Sequence, residues 1–305
     1  MKTVLVTGAN GFLGKYIMRL LVEKDYEVHG ITREVKLFDE TKCTWHKLNL
    51  LDTSGIKKVM KEIRPSHLLH FAWVTNPETY RVSKENFLWV QSSLELIRQF
   101  RDQGGVRAVL AGTCFEYDWN YGYCSEAITP ACPTTFYGQC KQSLNEMLRI
   151  YSKNTGLSSA WGRIFFTYGP GEDSRKLVSS VISALLRGEP ARCSHGNQIR
   201  DYLFVEDIAE LFIALLESEV EGVVNIGSGN PVRLKEIVIK IGELLGREEL
   251  IRFGEIPVAE GEPGVILADI GRAVHEVGWR PKYDLQYGLE KTIYWWKGQL
   301  GLKDR

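Results

Sequence analysis

The sequence predicts an α/β fold in which a doubly wound parallel sheet is followed by a smaller, mixed domain. Short apolar runs rich in β-branched residues alternate with amphipathic helical patterns, as in a parallel sheet with helices on both faces. The predicted strands are 3–7, 27–31, 67–72, 106–111 and 158–166. The predicted helices between and after them are 12–24, 54–63, 84–101 and 136–153.

The pattern becomes less regular after residue 167, where the loop TYGPGEDS begins the second part of the chain. This part contains predicted helices at 176–187, 206–217 and 234–245, strands near 201–205 and at VVNIG, and two short C-terminal helical patterns. We predict one domain over 1–167, to which segments near 200–228 return, and a second over 168–305.

Composition and charge exclude several classes of protein. Hydrophobic residues make up 44% of the 305 positions and the net charge is zero, so no basic surface indicates binding to nucleic acid or to a membrane. No apolar run spans a bilayer, and the N-terminus does not read as a signal peptide. The six cysteines form no C-x-x-C pair, so we expect reduced thiols in a cytoplasmic protein, and no metal site.

The segment TGANGFLG lies between the first predicted strand and the first predicted helix. Gly8 permits a tight turn, Gly11 lets the backbone approach a pyrophosphate, and Gly14 allows the helix to pack closely on the sheet. Free amides at the helix start then face the phosphates. This context predicts a dinucleotide-binding loop.

Arg33 stands at the end of the second predicted strand, where an acidic residue indicates NAD. A guanidinium at this position, with Lys36 nearby, suits the 2′-phosphate of NADP. Arg33 favours NADP(H), and NAD(H) is the alternative if Arg33 is only a solvated surface residue.

Tyr137 and Lys141 lie four residues apart in a predicted helix, so both project from one face. An ammonium near a tyrosine stabilises the phenolate and lowers the tyrosine pKa. We therefore predict that Tyr137 donates and accepts a proton near neutral pH.

Taken in order, these motifs resemble the extended short-chain dehydrogenase/reductase family, in its nucleotide-sugar epimerase, dehydratase and 4-ketoreductase branch. The resemblance extends over nearly the whole chain and is carried by TGANGFLG, HFAW, the loop GTCFEYDWN, YGQCK, RIFFTYGPG, RDYLFVEDIA, NIGSG and ADIGRAVHEVGWRPKYDL. It implies a Rossmann fold, a bound NAD(P), a nucleotide-sugar substrate, and a homodimer formed through the helices near 84–101 and 137–153.

The resemblance also implies roles for individual residues. The catalytic set would be Thr113, Tyr137 and Lys141. The cofactor would contact Tyr137, Lys141, Gly8, Asn10, Gly11, Phe12, Leu13, Gly14, Arg33, Asn49, Leu50, Phe71, Ala72 and Trp73. The substrate would contact Thr113, Lys176 and Arg200. We also expect substrate contacts at Glu116 and Phe166, two positions where this chain departs from the usual residues of the family.

Three of these substrate assignments have structural alternatives. Arg200 would hold the substrate diphosphate, or it would form an ion pair with Asp207 or another neighbour. Glu116 would bind sugar hydroxyls or pair with a basic residue. Lys176 is a weaker phosphate candidate, since lysines at helix starts are usually solvated.

The residues after Thr113 narrow the reaction that the resemblance implies. The 4,6-dehydratases of this branch carry Asp-Glu there, and this chain carries Cys114 and Phe115, which cannot replace that pair. We therefore expect NADPH-dependent reduction of the C4 keto group of a nucleotide-linked 4-keto-6-deoxy sugar. A 4-epimerase that retains NAD is the alternative, and a non-catalytic NADP-sensing protein is a third hypothesis.

Overall fold

The computed structural model describes residues 2–34 and 42–302 of the chain. Its strands are β1 (Thr3–Thr7), β2 (Glu27–Thr32), β3 (Cys43–Lys47), β4 (His67–His70), β5 (Arg107–Thr113), β6 (Tyr123–Cys124), β7 (Ser158–Ile164), β8 (Phe166–Tyr168), β9 (Ala191–Arg192), β10 (Ile199–Phe204), β11 (Gly222–Ile226), β12 (Pro231–Arg233), β13 (Ile251–Arg252) and β14 (Val265–Ala268). Its helices are α1 (Phe12–Glu23), α2 (Thr53–Ile63), α3 (Glu85–Asp102), α4 (Phe136–Thr155), α5 (Leu177–Leu186), α6 (Val205–Glu217), α7 (Leu234–Leu245), α8 (Gly271–His275) and α9 (Leu285–Gln299).

A seven-stranded parallel sheet has the strand order β11-β7-β5-β4-β1-β2-β3, which confirms the predicted fold class. The order reverses between β1 and β4. In sheets of this kind the reversal opens a crevice at the carboxyl ends of the two strands, where ligands bind. The loop after β1 and the residues after β4 lie on either side of this crevice.

Alternating side chains of the strands produce two apolar layers, one on each face of the large sheet. Val4 and Val6 belong to a core that includes residues of α1 and α6. Leu5, between them, belongs to the opposite core, which includes residues of α2, α3 and α4. Helices therefore cover both faces, as the strand–helix alternation predicts.

A second, smaller sheet has the order β12-β10-β14-β6, and β8 also pairs with β10. It combines parallel and antiparallel pairs, and β9 pairs separately with β13. The helices α5, α7 and α9 enclose a third core, with Ile182, Ile237 and Leu289 among its fully buried members.

The chain passes between the two sheets more than once. β6 comes from the first 167 residues but lies in the small sheet. β10, which comes after residue 167, lies in the small sheet as well. α6 then packs on α1, and β11 joins the large sheet beside β7. The boundary at residue 167 stays a prediction.

Most predicted elements lie within one to three residues of those observed, but the sequence prediction missed β3 in the large sheet and the short strands β6, β9, β12, β13 and β14. The β3 residues, CTWHK, are partly or fully exposed and include no apolar run, because β3 is the edge strand of the large sheet. The predicted strand 158–166 is divided at Phe165, and Phe166 begins β8 in the small sheet. Of the helices in residues 2–34 and 42–302, none combines the length and apolarity needed to cross a membrane.

Candidate active site

Thr113 is the last residue of β5, a central strand whose seven residues are all buried. A 3-10 turn, Cys114–Glu116, follows it directly. The Phe115 amide donates to the Thr113 hydroxyl at 3.3 Å, and the Thr113 amide donates to the Glu116 carboxylate at 2.8 Å. This reciprocal capping box fixes the Thr113 hydroxyl at the carboxyl edge of the large sheet.

Tyr137 lies in the first turn of α4, directly over the turn that contains Phe115. The α4 N-cap, Thr135, accepts a hydrogen bond from the Gly138 amide at 3.0 Å. A Cβ atom at Gly138 would lie 2.3 Å from the Phe115 carbonyl oxygen, so glycine permits this close approach. The Tyr137 hydroxyl is thereby brought into hydrogen-bonding contact with Thr113.

Lys141 follows one helical turn later, and its side chain is buried. Its Nζ donates to the Ala111 carbonyl oxygen at 2.9 Å and lies 3.7 Å from the centroid of the Trp73 ring. Burial lowers the pKa of Lys141 to about 7, although the Glu116 carboxylate acts in the opposite direction. The structure thus brings Thr113, Tyr137 and Lys141 together at one edge of the sheet.

The prediction that Lys141 lowers the pKa of Tyr137 is wrong for the structure as described. Burial raises the Tyr137 pKa and the nearby Tyr80 raises it further, whereas the hydrogen bond with Thr113 lowers it. The Lys141 ammonium, which was expected to lower this pKa, is directed to the Ala111 carbonyl and the Trp73 ring. Tyr137 therefore holds its proton at neutral pH in the chain without ligands.

Three aromatic side chains pack against the ring of Tyr137. The ring centroids of Tyr80, Phe115 and Trp73 lie 5.0, 5.9 and 6.5 Å from that of Tyr137, all in edge-to-face arrangements. Trp119 packs on the outer side of Phe115 at 4.6 Å. The surroundings of the tyrosine are therefore largely apolar, and Phe115 supplies one wall.

Glu116 is fully buried and belongs to an ion pair. Its carboxylate accepts from Arg163 Nε at 2.7 Å and from the Trp161 indole nitrogen at 3.0 Å, besides the Thr113 amide. With 0% of its surface exposed, Glu116 has no oxygen available to a sugar hydroxyl. The assignment of Glu116 as a substrate contact is therefore corrected to the alternative, pairing with a basic residue.

The glycine-rich loop has the geometry that a dinucleotide requires. Gly8 has a φ of +68°, and a Cβ there would lie 2.7 Å from the Ala72 amide nitrogen, beyond β4. A Cβ on Gly14 would lie 2.1 Å from the Gly8 carbonyl oxygen. Gly11 is the N-cap of α1 and supplies no side chain, so the amides of Phe12 and Leu13 are available to a pyrophosphate.

The other predicted cofactor residues lie along the carboxyl ends of the strands. Arg33 is exposed directly after β2, and Lys36 lies outside the described residues. The Asn10 amide approaches Thr32 Oγ1 at 3.5 Å. The remaining predicted cofactor residues follow the ends of two further strands: Asn49 and Leu50 come after β3, and Phe71, Ala72 and Trp73 come after β4.

Arg200 is buried on the small-sheet side of the crevice, with 2% of its surface exposed. It pairs with Glu262 at 2.9 Å and donates to backbone oxygens, whereas Asp207 accepts the amides of Lys282 and Tyr283. The ion-pair partner of Arg200 is therefore Glu262, and not Asp207, which the sequence analysis named as one candidate. Phe166 packs beneath the guanidinium, 5.5 Å from ring centroid to carbon.

Lys176 lies at the start of α5 with its ammonium 5.4 Å from the centroid of the Tyr80 ring. Tyr80 and its neighbour Arg81 were not identified from the sequence, although they follow a buried parallel strand where ligand-binding residues gather. Arg163 was also missed. Its signal is a single basic residue in the apolar strand β7, where a buried charge requires a partner.

A model of one protein family matches residues 4–227, which is more than half of the chain. The chain belongs to the NAD dependent epimerase/dehydratase family. The members of this family are enzymes that use a nicotinamide cofactor. The glycine loop and the grouping of Thr113, Tyr137 and Lys141 agree with this. The resemblance found in the sequence is confirmed.

Relatives within this family carry out different reactions. A dTDP-4-dehydro-6-deoxyglucose reductase from Escherichia coli is 27% identical, with 95% of this chain and 96% of the relative covered. A UDP-glucuronate 4-epimerase from Thermodesulfobacterium geofontis is 25% identical over 98% of this chain and 97% of its own. The crystal structure of a Thermus thermophilus UDP-glucose 4-epimerase with NAD superposes with a TM-score of 0.86 at 25% identity, covering 97% and 99% of the two chains.

Proposed function

We propose that this enzyme uses NADPH to reduce the C4 keto group of a nucleotide-linked 4-keto-6-deoxy sugar. The observation that carries the proposal is the turn after Thr113. Its one carboxylate, Glu116, is held in the buried pair with Arg163, and the ring of Phe115 faces Tyr137 instead of an acid. Such a turn has no free acid–base pair to eliminate water, and the remaining groups suit redox chemistry at one carbon.

In this reaction Tyr137 protonates the C4 oxygen, either directly or through the Thr113 hydroxyl. A raised pKa suits a donor, because the tyrosine enters the reaction with its proton in place. Lys141, fixed against Ala111, would hold the nicotinamide ribose. Bound NADPH supplies the hydride.

Two further observations support this substrate class. The aromatic walls formed by Phe115 and Tyr80 offer an apolar surface that suits the methyl group of a 6-deoxy sugar. The Escherichia coli relative bears the name of a reductase of such a 4-keto sugar. The same comparison supports a nucleotide-sugar substrate in general.

The test is to mix the purified enzyme with NADPH and dTDP- or CDP-linked 4-keto-6-deoxyhexose, and to follow the loss of reduced nicotinamide absorbance. We expect one NADPH consumed for each 4-hydroxy product. If NADPH is untouched while saturated nucleotide sugars interconvert on tightly bound NAD, the enzyme is a 4-epimerase. That alternative draws support from the epimerases among the relatives, one of which holds NAD.

Arg33 is the residue to test for cofactor preference. It is exposed beside the expected adenosine site, so Arg33→Gln should raise KM for NADPH about tenfold and leave KM for NADH nearly unchanged. Arg19→Gln, an exposed arginine on α1, is the matched control and should change neither constant. If Arg33→Gln changes the KM for NADPH no more than Arg19→Gln does, Arg33 does not bind the 2′-phosphate. NAD(H) would then be the favoured cofactor.

We also propose a homodimer formed through α3 and α4. These helices pack together and expose large apolar side chains to solvent: Phe87, Leu88, Met147 and Ile150. Light scattering should give the mass of a dimer for the wild type and of a monomer for Leu88→Glu/Met147→Glu. Ile239→Glu, at a similarly exposed position on α7, should remain dimeric. A monomeric wild type would contradict the proposal.

A further inference from the structure

The indole ring of Trp73 contacts both helical residues of the catalytic set. The Lys141 ammonium lies over this ring, 3.7 Å from its centroid, and the ring of Tyr137 meets it edge-on with 6.5 Å between centroids. A cation over an indole face is attracted by the negative charge that the π-electrons place there. Trp73 is therefore in a position to act on Lys141 directly.

Trp73 is fixed by its own contacts. It is 9% exposed, its Nε1 donates to Asn86 Oδ1 at 2.7 Å, and Trp89 stacks on it at 6.1 Å. The side-chain amide of Asn86, which is fully buried, donates in turn to the backbone oxygens of Tyr80 and Ser83. The hydrogen bonds and the stacking hold the ring in one orientation, so its face stays directed at the ammonium.

The Lys141 ammonium is buried in surroundings that are only partly polar. Its residue is 4% exposed, and it donates to the Ala111 carbonyl oxygen. The Glu116 carboxylate favours the charged form of the ammonium but is held in its own buried ion pair. A buried charge is costly unless its surroundings compensate for the lost water. The nearest ring that can do so is Trp73, since Trp161 lies farther away, at 5.9 Å.

We propose that Trp73 is a positioning residue that keeps the Lys141 ammonium charged and in place to hold the nicotinamide ribose. The proposal rests on the proposed function, because that function assigns the ribose to Lys141. Burial lowers the pKa of Lys141 to about 7, so the charged and neutral forms are nearly balanced at neutral pH. Loss of the cation–π attraction therefore favours the neutral amine, which binds ribose hydroxyls less strongly and no longer attracts the cofactor phosphates.

Lys141 is the group that we expect to titrate near neutral pH in this part of the site. The titratable groups beside it are Glu116 in the turn after β5, His70 in β4 and Tyr137 on its own helix. Burial, with the charge of Lys141 added, lowers the pKa of His70 to about 3, and burial raises that of Tyr137. Glu116 is paired with Arg163. A difference between variants near pH 7 is therefore assigned to Lys141.

The experiment measures the affinity for NADPH by fluorescence between about pH 5.5 and about pH 9, or for NADH if that cofactor binds more tightly. In the wild type the affinity should fall as the pH rises through about 7, where Lys141 loses its proton. Trp73→Leu removes the aromatic face and should move this midpoint down by about one pH unit. Trp73→Phe retains a face and should keep the midpoint closer to that of the wild type.

Trp89→Leu is the matched control. Trp89 is a buried indole of the same core, stacked on Trp73, whereas the cation–π contacts of Lys141 within the described residues are with Trp73 and Trp161. Both leucine variants should lower the unfolding midpoint, because each leaves a cavity, but Trp89→Leu should leave the pH midpoint unchanged. A pH midpoint that stays in place in Trp73→Leu, or that moves equally in both variants, would disprove the role of Trp73. Trp73→Met, which fills more of the cavity without an aromatic face, repeats the test if Trp73→Leu does not fold.

A measurement without cofactor separates this proposal from the proposed function. The pKa of Lys141 is obtained in the ligand-free protein from the side-chain ε-carbon NMR signal that disappears in Lys141→Met. This signal should titrate near pH 7 in the wild type and about one unit lower in Trp73→Leu. If that shift occurs but NADPH is not consumed with the 4-keto sugar, Trp73 keeps Lys141 charged and the proposed reaction is wrong. If the shift is absent while NADPH is consumed, the role of Trp73 is disproved and the reductase stands.

Discussion

Tyr137→Phe should lower kcat of the proposed reductase about 1000-fold while NADPH still binds. The substitution removes one hydroxyl and keeps the ring, so the edge-to-face contacts with Tyr80, Phe115 and Trp73 are retained. The lost group is the proposed proton donor to the C4 oxygen, and it is the hydroxyl that contacts Thr113. A loss in kcat with little change in KM marks an interaction made only in the transition state.

The measurement is single-turnover NADPH oxidation, with NADPH affinity determined separately by fluorescence. Tyr151→Phe, farther along α4, is the control and should behave as the wild type because Tyr151 lies three turns beyond the site. Activity within threefold of the wild type in Tyr137→Phe would transfer the proton-donor role to another group. A protein that only senses NADP would keep its function in this variant, so the same experiment tests the non-catalytic hypothesis.

The part of the site that sequence reasoning located rests on local patterns. Tyr137 and Lys141 are four residues apart in one helix, and helical geometry alone places them on the same face. Thr113 stands at the end of a buried strand, and the glycine loop joins a strand to a helix. These features need no knowledge of how distant segments pack.

The parts that were missed, or left open, depend on contacts between distant segments. Arg163 lies 47 residues from Glu116, and Glu262 lies 62 residues from Arg200. Nothing in either local segment specifies its partner. The Tyr137 pKa was misjudged for a related reason: its surroundings come from the loop after β4 and the turn after β5, which together bury the hydroxyl.

The same distinction explains the fold prediction. Helices such as α7 were located to the residue because one face is apolar and packs on the core. β3 was missed because an edge strand needs no apolar run, and its register with β2 depends on backbone hydrogen bonds instead. The positions of β6 and β10 in the small sheet depend on tertiary pairing alone.

Glu116→Gln should destabilise the fold by about 3–5 kcal/mol in urea unfolding, because it leaves the buried Arg163 without a counter-charge. The Arg163 side chain is 4% exposed and cannot recover hydration. In this variant Arg163 would still donate from its Nη2 to the side-chain oxygen of Gln142, which lies at 2.8 Å, but that oxygen carries no charge. Glu146→Gln, which breaks the exposed pair with Arg149, is the matched control and should cost much less.

The double variant Glu116→Gln/Arg163→Met completes a cycle and isolates the pairwise interaction. Removing both charges should restore much of the stability, because replacing a buried pair is less costly than breaking it. The outcome also tests the ion-pair role of Glu116. Because Glu116 is the counter-ion of Arg163, its loss should lower stability, and with it the rigidity of the turn that fixes Thr113 opposite Tyr137. A raised KM with stability unchanged would contradict this role.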